Sequence, residues 1–251
     1  MKNEFQTKWN SSNNEDENRK NILNLFQNSP IPDSEKLMNL DLYMKRQDLS
    51  MLLFMHELYT QILNVHGIIC EFGVRWGKNL ALFQNFRGIY EPFNHNRKIV
   101  GFDTFQGFPS VDKKDGNAEI IAKGSYNVTK KYENHLNQIL NAHEKESPIS
   151  HIKKFELVKG DASLTINEYL NSNPQSIIAL AYFDFDIYKP TYNCLASIKS
   201  RLTKGSVIGF DELNCKDYPG ETLALMEIFG LNNVRVKHTK YSPTQSYFIV
   251  E

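Results

Sequence analysis

One segment of this 251-residue chain, Ile68–Gly77, constrains the fold more than any other. Its sequence, IICEFGVRWG, combines a short apolar strand and a turn that carries two glycines, and a helix is expected to begin near Lys78. A strand, turn and helix in this order lie at the carboxyl edge of a parallel sheet, where they form a nucleoside or phosphate pocket. The segment therefore predicts an α/β fold with a ligand bound at that edge.

The spacing of the segment, Glu71-x-Gly73-x-x-x-Gly77, indicates which ligand is expected. A loop that binds a pyrophosphate needs several glycines so that its backbone can surround the oxygens. Here an acid comes first and only two glycines follow, which favours a cationic or neutral ligand such as S-adenosylmethionine. The glycine pair alone is equally compatible with an ordinary tight turn between a strand and a helix.

The rest of the chain alternates strands and helices, which is typical of a doubly wound, mainly parallel sheet. Its last two strands are joined by a short turn and are therefore expected to pair antiparallel. The seven predicted strands are 67–72, 98–103, 155–159, 177–183, 206–210, 234–239 and 246–250.

Two parts of the chain lie outside this regular alternation. Residues 1–65 are predicted to form an N-terminal arm, loose over 1–20, followed by helices that make a cap or a homodimer surface. Residues 66–251 are predicted to form the sheet domain. Within that domain, the segment 104–152 lacks a strand pattern and is too long for an ordinary connection, so we expect it to be a lid.

Carboxylates follow five successive predicted strands. They are Glu71, Asp103, Asp161, Asp184, and Asp211 with Glu212. Each could simply cap the next helix. The whole set is better explained by a ligand site, because carboxylates that share one edge repel one another unless a cation or hydrogen bonds offset them. Asp103 is expected to accept from a ribose diol, and Asp161 to lie near an adenine amino group.

The segment Asp184-Phe185-Asp186 also has the form of a metal-binding motif. Alternation along an extended chain would place both aspartates on the same side. Together with Asp211 and Glu212 they form a set of hard oxygen ligands, which favours Mg²⁺ or Ca²⁺ over zinc. The predicted metal ligands are Asp184, Asp211 and Glu212.

The overall composition narrows the class of partner. The chain has 29 basic and 29 acidic residues, so no net charge draws it to nucleic acid or to an anionic membrane. Its three cysteines have no metal-ligand spacing, the N-terminus has no apolar signal region, and no apolar run is long enough to span a bilayer. These features predict a cytoplasmic protein.

Three segments together resemble the macrocin O-methyltransferase family, class I S-adenosylmethionine-dependent enzymes that methylate sugar hydroxyls. They are Glu71–Gly77, Phe102–Pro109 (FDTFQGFP) and Asp184–Thr191 (DFDIYKPT), with Gly209–Glu212 as a shorter fourth match. The chain departs from the family in having Asp-Glu at 211–212 where Asp-Asp is usual, and Lys-Pro at 189–190 where Glu-Ser is common.

The resemblance implies a seven-stranded Rossmann-like fold, a sugar-containing small molecule as acceptor, and Asp184 as both metal ligand and catalytic base. The predicted contacts of S-adenosylmethionine are Glu71, Gly73, Gly77, Asp103, Thr104, Phe105, Asp161 and Ala162. Two other functions stay open at this point. One is a metal-dependent glycosyltransferase that holds a nucleotide sugar through Asp184 and Asp186, and the other is a non-catalytic binding protein with the same fold.

Overall fold

A computed structural model describes residues 11–251 and contains one seven-stranded sheet. The strands are β1 (Ile68–Phe72), β2 (Ile99–Asp103), β3 (Phe155–Lys159), β4 (Ile178–Phe183), β5 (Leu202–Phe210), β6 (Lys237–His238) and β7 (Ser246–Ile249). The helices are α1 (Asn13–Gln27), α2 (Asp33–Met38), α3 (Arg46–Gln61), α4 (Lys78–Tyr90), α5 (Tyr132–Glu146), α6 (Ala162–Ser172), α7 (Tyr188–Ile198) and α8 (Gly220–Ile228).

The strand order is β3-β2-β1-β4-β5-β7-β6. The first five strands are parallel, whereas β7 pairs antiparallel with both β5 and β6. The strand order reverses between β1 and β4, and the crevice at such a switch point is where open α/β sheets bind ligands. The predicted doubly wound, mainly parallel seven-stranded sheet of a class I methyltransferase is confirmed.

Two apolar cores lie on opposite faces of the sheet. On one face, α3, α4 and α5 contribute buried side chains such as Leu58, Phe83 and Leu136. On the other face, α6, α7 and α8 contribute Ile166, Leu195 and Leu225. Because β1, β2 and β4 are covered on both faces, they are almost wholly apolar rather than alternating. This double cover fixes the carboxyl ends of the parallel strands in one row.

The N-terminal helices differ from the sequence prediction in where they begin. Residues 1–10 of the predicted loose arm lie outside the described residues, but 13–20 form the first half of α1. Ser12 and Glu15 start this helix earlier, because each side chain accepts from the other residue's backbone N–H. Neither α1 nor α2 buries a residue, whereas α3 buries Phe54 and Leu58 against the sheet. The division at residue 65 and the homodimer stay predictions.

The sequence pattern also predicts a helix over 191–202. This prediction is wrong at its C-terminus, because α7 ends at Ile198 and β5 already begins at Leu202. The segment 104–152 contains a single 3₁₀ turn at Lys113–Asp115 before α5. It contacts the chain after β4 and after β5, because Asp115 Oδ1 accepts from the N–H of Tyr188 and the Tyr126 hydroxyl lies 2.9 Å from that of Tyr218. None of the helices in the described part of the chain is both long and apolar enough to cross a membrane.

Candidate active site

A cavity of about 570 Å³, including its open mouth, lies at the carboxyl edge of β1, β2, β3 and β4. This volume is within the range of small-molecule sites. The residues that line it come from four strand ends and from the segment after β2. They include Gly73, Arg75, Asp103, Thr104, Phe108, Tyr126, Asp161, Ala162, Asp184 and Asp186. The structure therefore brings six of the predicted site residues to one cavity: Gly73, Asp103, Thr104, Asp161, Ala162 and Asp184.

Gly73 lies directly against the backbone of Asp184. A Cβ atom at position 73 would lie 2.1 Å from the carbonyl oxygen of Asp184, and Gly73 has a φ of +96°. The sequence predicts Gly73 as a cofactor contact, whereas the protein backbone already requires a glycine at this position. The end of β1 and the end of β4 are therefore held in direct contact.

Asp103 folds the loop after β1. The N–H groups of Val74 and Arg75 donate to Asp103 Oδ2 at 2.8 and 2.7 Å, and the N–H of Phe105 donates to Oδ1 at 2.5 Å. Burial raises the pKa of this carboxyl, although these three hydrogen bonds oppose the shift. The predicted ribose acceptor thus also fixes the turn that would face the ribose, a role that the sequence did not reveal.

Two further predicted contacts are organised by local turns. Asp161 caps α6 by accepting from the N–H of Ser163 at 2.9 Å, as expected for an acid that precedes a helix. It also lines the cavity. The Thr104 hydroxyl donates to the carbonyl of Gly107 at 2.7 Å and so closes the turn that follows β2.

Three predicted cofactor contacts are not among the lining residues. Gly77 begins α4 with a φ of +78°, and a Cβ there would lie 2.3 Å from Leu136 of α5. Phe105 is buried in the core on the α3 face. Glu71 is fully buried near Asn79 and Leu80, and neither of its carboxylate oxygens has a hydrogen-bond partner among the described residues. Burial raises the pKa of Glu71 well above its usual value, and the nearby carboxylate of Asp103 raises it further. Direct contact of these three residues with a cofactor stays a prediction.

A cluster of acids extends from the cavity toward α8. Burial raises the pKa of Asp184 well above its usual value, and the neighbouring carboxylates of Asp211 and Asp186 raise it further. Burial and Asp211 raise the pKa of Asp186 to about 7, while Arg75 opposes the shift. Asp186 has a φ of +61°, so the extended alternation predicted for Asp184 and Asp186 breaks at that residue. Both still line the cavity, because the chain turns there.

The two acids after β5 are held differently. Asp211 Oδ1 accepts from the Tyr182 hydroxyl at 2.8 Å and from the Gln245 side-chain amide at 2.7 Å. Glu212 Oε2 is buried and has no hydrogen-bond partner in the part of the chain that the structure describes. Burial, with Asp186 and Asp211 nearby, raises the pKa of Glu212 to about 9. Asp211 is thus fixed, whereas Glu212 presents an unsatisfied oxygen.

These acids have the donor chemistry of a hard divalent cation, since an unpaired buried oxygen and mutual repulsion are what such an ion relieves. Their present arrangement does not form a complete site. Within residues 11–251, no three histidine, cysteine or acidic side chains converge closely enough to hold a metal ion. Binding an ion at Asp184, Asp211 and Glu212 would require these side chains to move together.

The segment after β2 closes one side of the cavity with Tyr126. Its hydroxyl lies 2.9 Å from that of Tyr218, and the guanidinium carbon of Arg75 lies 5.0 Å from the centre of its ring. Arg75 and Tyr126 both have positive φ, like Asp186. Non-glycine residues in this conformation cost about 1–3 kcal/mol each and concentrate at functional sites. Their grouping around one cavity supports its assignment as the active site.

Sequence reasoning missed Tyr182, Gln245, Tyr218 and Glu221, which hold or face the acids. None belongs to a motif, although Tyr182 lies two residues before Asp184 and Tyr218 lies six residues after Glu212. Strand alternation offers a signal for Tyr182, because its position in β4 places it on the same face as Leu180 and Asp184.

Comparison with solved structures identifies close relatives. The crystal structure of CalS11, calicheamicin methyltransferase, is 41% identical, covers 96% of this chain and 94% of its own, and superimposes with a TM-score of 0.93. An apo structure of CalS11, described as a TDP-rhamnose 3′-O-methyltransferase, is 39% identical over 96% of each chain, with a TM-score of 0.85.

The O-methyltransferase NovP is 16% identical over 80% of this chain and 79% of its own, with a TM-score of 0.59, and so shares the fold. No family model matches the chain, and neither does any curated protein sequence. At 41% identity over nearly the whole length of both chains, the relationship to CalS11 is one of common family. The chain therefore belongs to the family of S-adenosylmethionine-dependent O-methyltransferases that includes CalS11.

Proposed function

We propose that this enzyme methylates a hydroxyl of a sugar, carried by a nucleotide or by a glycosylated small molecule, with Asp184 as the catalytic base. The observation that carries the proposal is the contact between Gly73 and Asp184. It joins the loop that faces the cofactor to the strand end that carries the base, so both act in one cavity. Family membership sets aside the glycosyltransferase and non-catalytic alternatives.

The role of the protein follows from the chemistry of the methyl donor. S-adenosylmethionine, when bound, supplies an already activated methyl group, so the chain mainly has to align an acceptor oxygen and remove its proton. Alignment alone can supply up to ~7–11 kcal/mol of the barrier. Asp184 lines the cavity, and its raised pKa makes its ionised form a stronger base.

For the cofactor itself, we assign Asp103 to the ribose hydroxyls and Asp161 to the adenine side of the cavity. Thr104, Ala162 and Gly73 line the same cavity. Asp103 keeps acceptor capacity for a ribose hydroxyl, because each carboxylate oxygen has two lone pairs and Oδ1 receives one N–H in this structure.

We further propose that a divalent cation, most simply Mg²⁺, assists the reaction at Asp184, Asp211 and Glu212. The support is the buried, unpaired oxygen of Glu212 and the burial that raises the pKa of all three groups, to which neighbouring carboxylates add at Asp184 and Glu212. A cation held there would lower the pKa of an acceptor hydroxyl. Asp184, Asp211 and Glu212 would have to draw together to ligate it.

The acceptor class rests on two likenesses. CalS11 is a TDP-rhamnose 3′-O-methyltransferase, which makes a nucleotide-linked deoxysugar the first candidate. The motifs that resemble macrocin O-methyltransferases make a sugar on a macrolide the second. Pro190 lines the cavity, so one of the two positions at which the chain departs from that family's usual Glu-Ser lies where an acceptor would bind.

A direct transfer assay tests the proposal. The purified enzyme is incubated with methyl-labelled S-adenosylmethionine and Mg²⁺, and either TDP-rhamnose or a macrolide glycoside is added. Products are read by mass spectrometry. Label on the sugar of either acceptor supports the proposal and separates the two classes. S-adenosylhomocysteine binding without transfer to any sugar hydroxyl in a wider panel would contradict it.

A further inference from the structure

One buried acid, Glu221, lies between the two groups of site carboxylates without facing the cavity. It occupies the first turn of α8 and is fully buried. The N–H of Phe185 donates to its Oε1 at 3.0 Å, and the N–H of Glu212 donates to its Oε2 at 3.4 Å. One side chain therefore binds the loop after β4 and the loop after β5.

These two backbone amides lie within the loops that carry the site carboxylates. Phe185 stands between Asp184 and Asp186, and Glu212 directly follows Asp211. The distance between the two loops sets the distance between their acids, because each amide is at most one residue from a site carboxylate. Glu221 is the one side chain in the described part of the chain that accepts from both loops.

The start of α8 is itself fixed against the loop after β4. A Cβ at Gly220 would lie 2.4 Å from the backbone nitrogen of Tyr188 and 2.7 Å from the carbonyl carbon of Ile187. The neighbouring residue, Glu221, thus extends from a rigid helix terminus. A carboxylate suits this position because its two oxygens can each accept an N–H, whereas an amide side chain offers a single oxygen.

The identity of this residue has an electrostatic cost. Glu221 adds a further buried carboxylate beside Asp186, Asp211 and Glu212, and like charges in a buried site disfavour ionisation. A neutral glutamine would avoid that repulsion but could serve only one of the two loops. The presence of an acid at position 221 is explained if holding both loops contributes more to function than the repulsion among the carboxylates costs.

We propose that Glu221 is a positioning residue that sets the spacing between the Asp184–Asp186 loop and the Asp211–Glu212 loop for methyl transfer. The inference rests on the proposed function, since it assumes that both loops act on one acceptor. Glu221 itself is not among the residues that line the cavity.

Three variants separate spacing from charge and from folding. Glu221→Gln keeps the length and loses one acceptor, while Glu221→Asp keeps the charge but is one methylene shorter and cannot reach both amides. Glu168→Gln, an exposed acid-to-amide change on α6, is the matched control. Each variant is measured for melting temperature, for S-adenosylhomocysteine affinity, for amide exchange at Phe185 and Glu212, and for kcat and KM with TDP-rhamnose.

We expect kcat to fall about tenfold or more in both Glu221 variants. The kcat is calculated per S-adenosylhomocysteine-binding site, so that misfolded protein does not count as lost activity. Cofactor affinity should stay within about twofold, because the β1 loop is untouched. Amide exchange should become faster at Phe185 or Glu212 in each variant, and Glu168→Gln should match the wild type.

Two results would overturn the inference, and both differ from failure of the proposed function. Full kcat in either Glu221→Asp or Glu221→Gln would show that the two-loop spacing is not required. Unchanged exchange at both amides would show that Glu221 does not hold them, whether or not a sugar is methylated. Absence of transfer by the wild type to any sugar of the acceptor panel would contradict the proposed function, while the exchange measurement would still decide the role of Glu221.

Discussion

The backbone of Asp184 leaves no room for a side chain at position 73: a Cβ there would lie 2.1 Å from the Asp184 carbonyl oxygen. The turn that marks the sequence as a methyltransferase is therefore in direct contact with the proposed base. A shift in either loop must move the other, which links cofactor binding to the position of the base.

Gly73→Ala tests this contact. The new methyl group meets backbone rather than a flexible side chain, and position 73 has a positive φ, so we expect a loss of more than ~3 kcal/mol in unfolding free energy. Thermal and urea unfolding measure it. The matched control is Gly124→Ala, which has a φ of +84° with nothing within 4 Å of the added Cβ and should lose only ~1–2 kcal/mol. Equal losses in the two variants would show that the contact with Asp184 is not tight.

Asp103→Asn is expected to weaken S-adenosylhomocysteine binding by roughly tenfold or more. An asparagine has one acceptor oxygen, whereas Asp103 accepts three backbone N–H groups and, as proposed, a ribose hydroxyl. Loss of one charged hydrogen bond is worth ~1.5–3 kcal/mol. Titration calorimetry gives the affinity, with the exposed change Asp33→Asn as control.

A deoxyribose analogue of S-adenosylhomocysteine separates the two roles of Asp103. If the carboxylate holds the ribose, the substitution should cost less affinity for the analogue than for the natural ligand, since the analogue has already lost that contact. Equal costs for both ligands would leave Asp103 with the loop-folding role alone.

Metal removal tests the proposed cation. Enzyme treated with a chelator should lose methyl transfer and recover it on addition of Mg²⁺, while its S-adenosylhomocysteine affinity changes little, because none of the assigned cofactor contacts is a proposed metal ligand. Glu212→Gln should raise the Mg²⁺ concentration needed for half-maximal activity, since an amide is a weaker ligand than a carboxylate. Full activity in chelator would remove the metal and leave Asp184 as a base without one.

The segment 104–152 is expected to act as a lid. In the structure Asp115 Oδ1 accepts from the N–H of Tyr188, and the Tyr126 hydroxyl lies 2.9 Å from that of Tyr218, so the segment is docked at two points. Hydrogen exchange across 116–132 should slow when S-adenosylhomocysteine is added, and Asp115→Asn should speed it. Exchange that stays fast with both cofactor and acceptor present would leave the segment without this function.

The sequence predicted the sheet well where strands are apolar and bounded by turn residues. The predicted bounds of β3, Phe155–Lys159, agree with the structure at both ends. Gly160, which follows directly, marks the C-terminal end. Helix starts were less certain, since the reciprocal cap of Ser12 and Glu15 lies within a polar stretch that has no apolar pattern.

The sequence predicted the site residues that lie at strand ends, but not those that reach the site from other parts of the chain. Asp103, Asp161 and Asp184 could be placed in one cavity because parallel strands end in a row. The hydrogen bonds that hold Asp211 could not, because Gln245 reaches it from a distant turn. Glu221 was missed for a similar reason: a single acid in the first turn of a helix usually has only the role of favouring the helix N-terminus.

The central claim, that Asp184 removes the proton of a sugar hydroxyl during methyl transfer, is tested most directly by comparing wild type with Asp184→Asn. The measurement is the rate of label transfer from methyl-labelled S-adenosylmethionine to TDP-rhamnose, or to the acceptor found by the panel, with S-adenosylhomocysteine affinity determined for both proteins. We predict a methylated sugar from the wild type and a rate lowered by ~10²-fold or more in the variant, with cofactor affinity nearly unchanged. A variant that methylates the same hydroxyl at the wild-type rate would contradict the account.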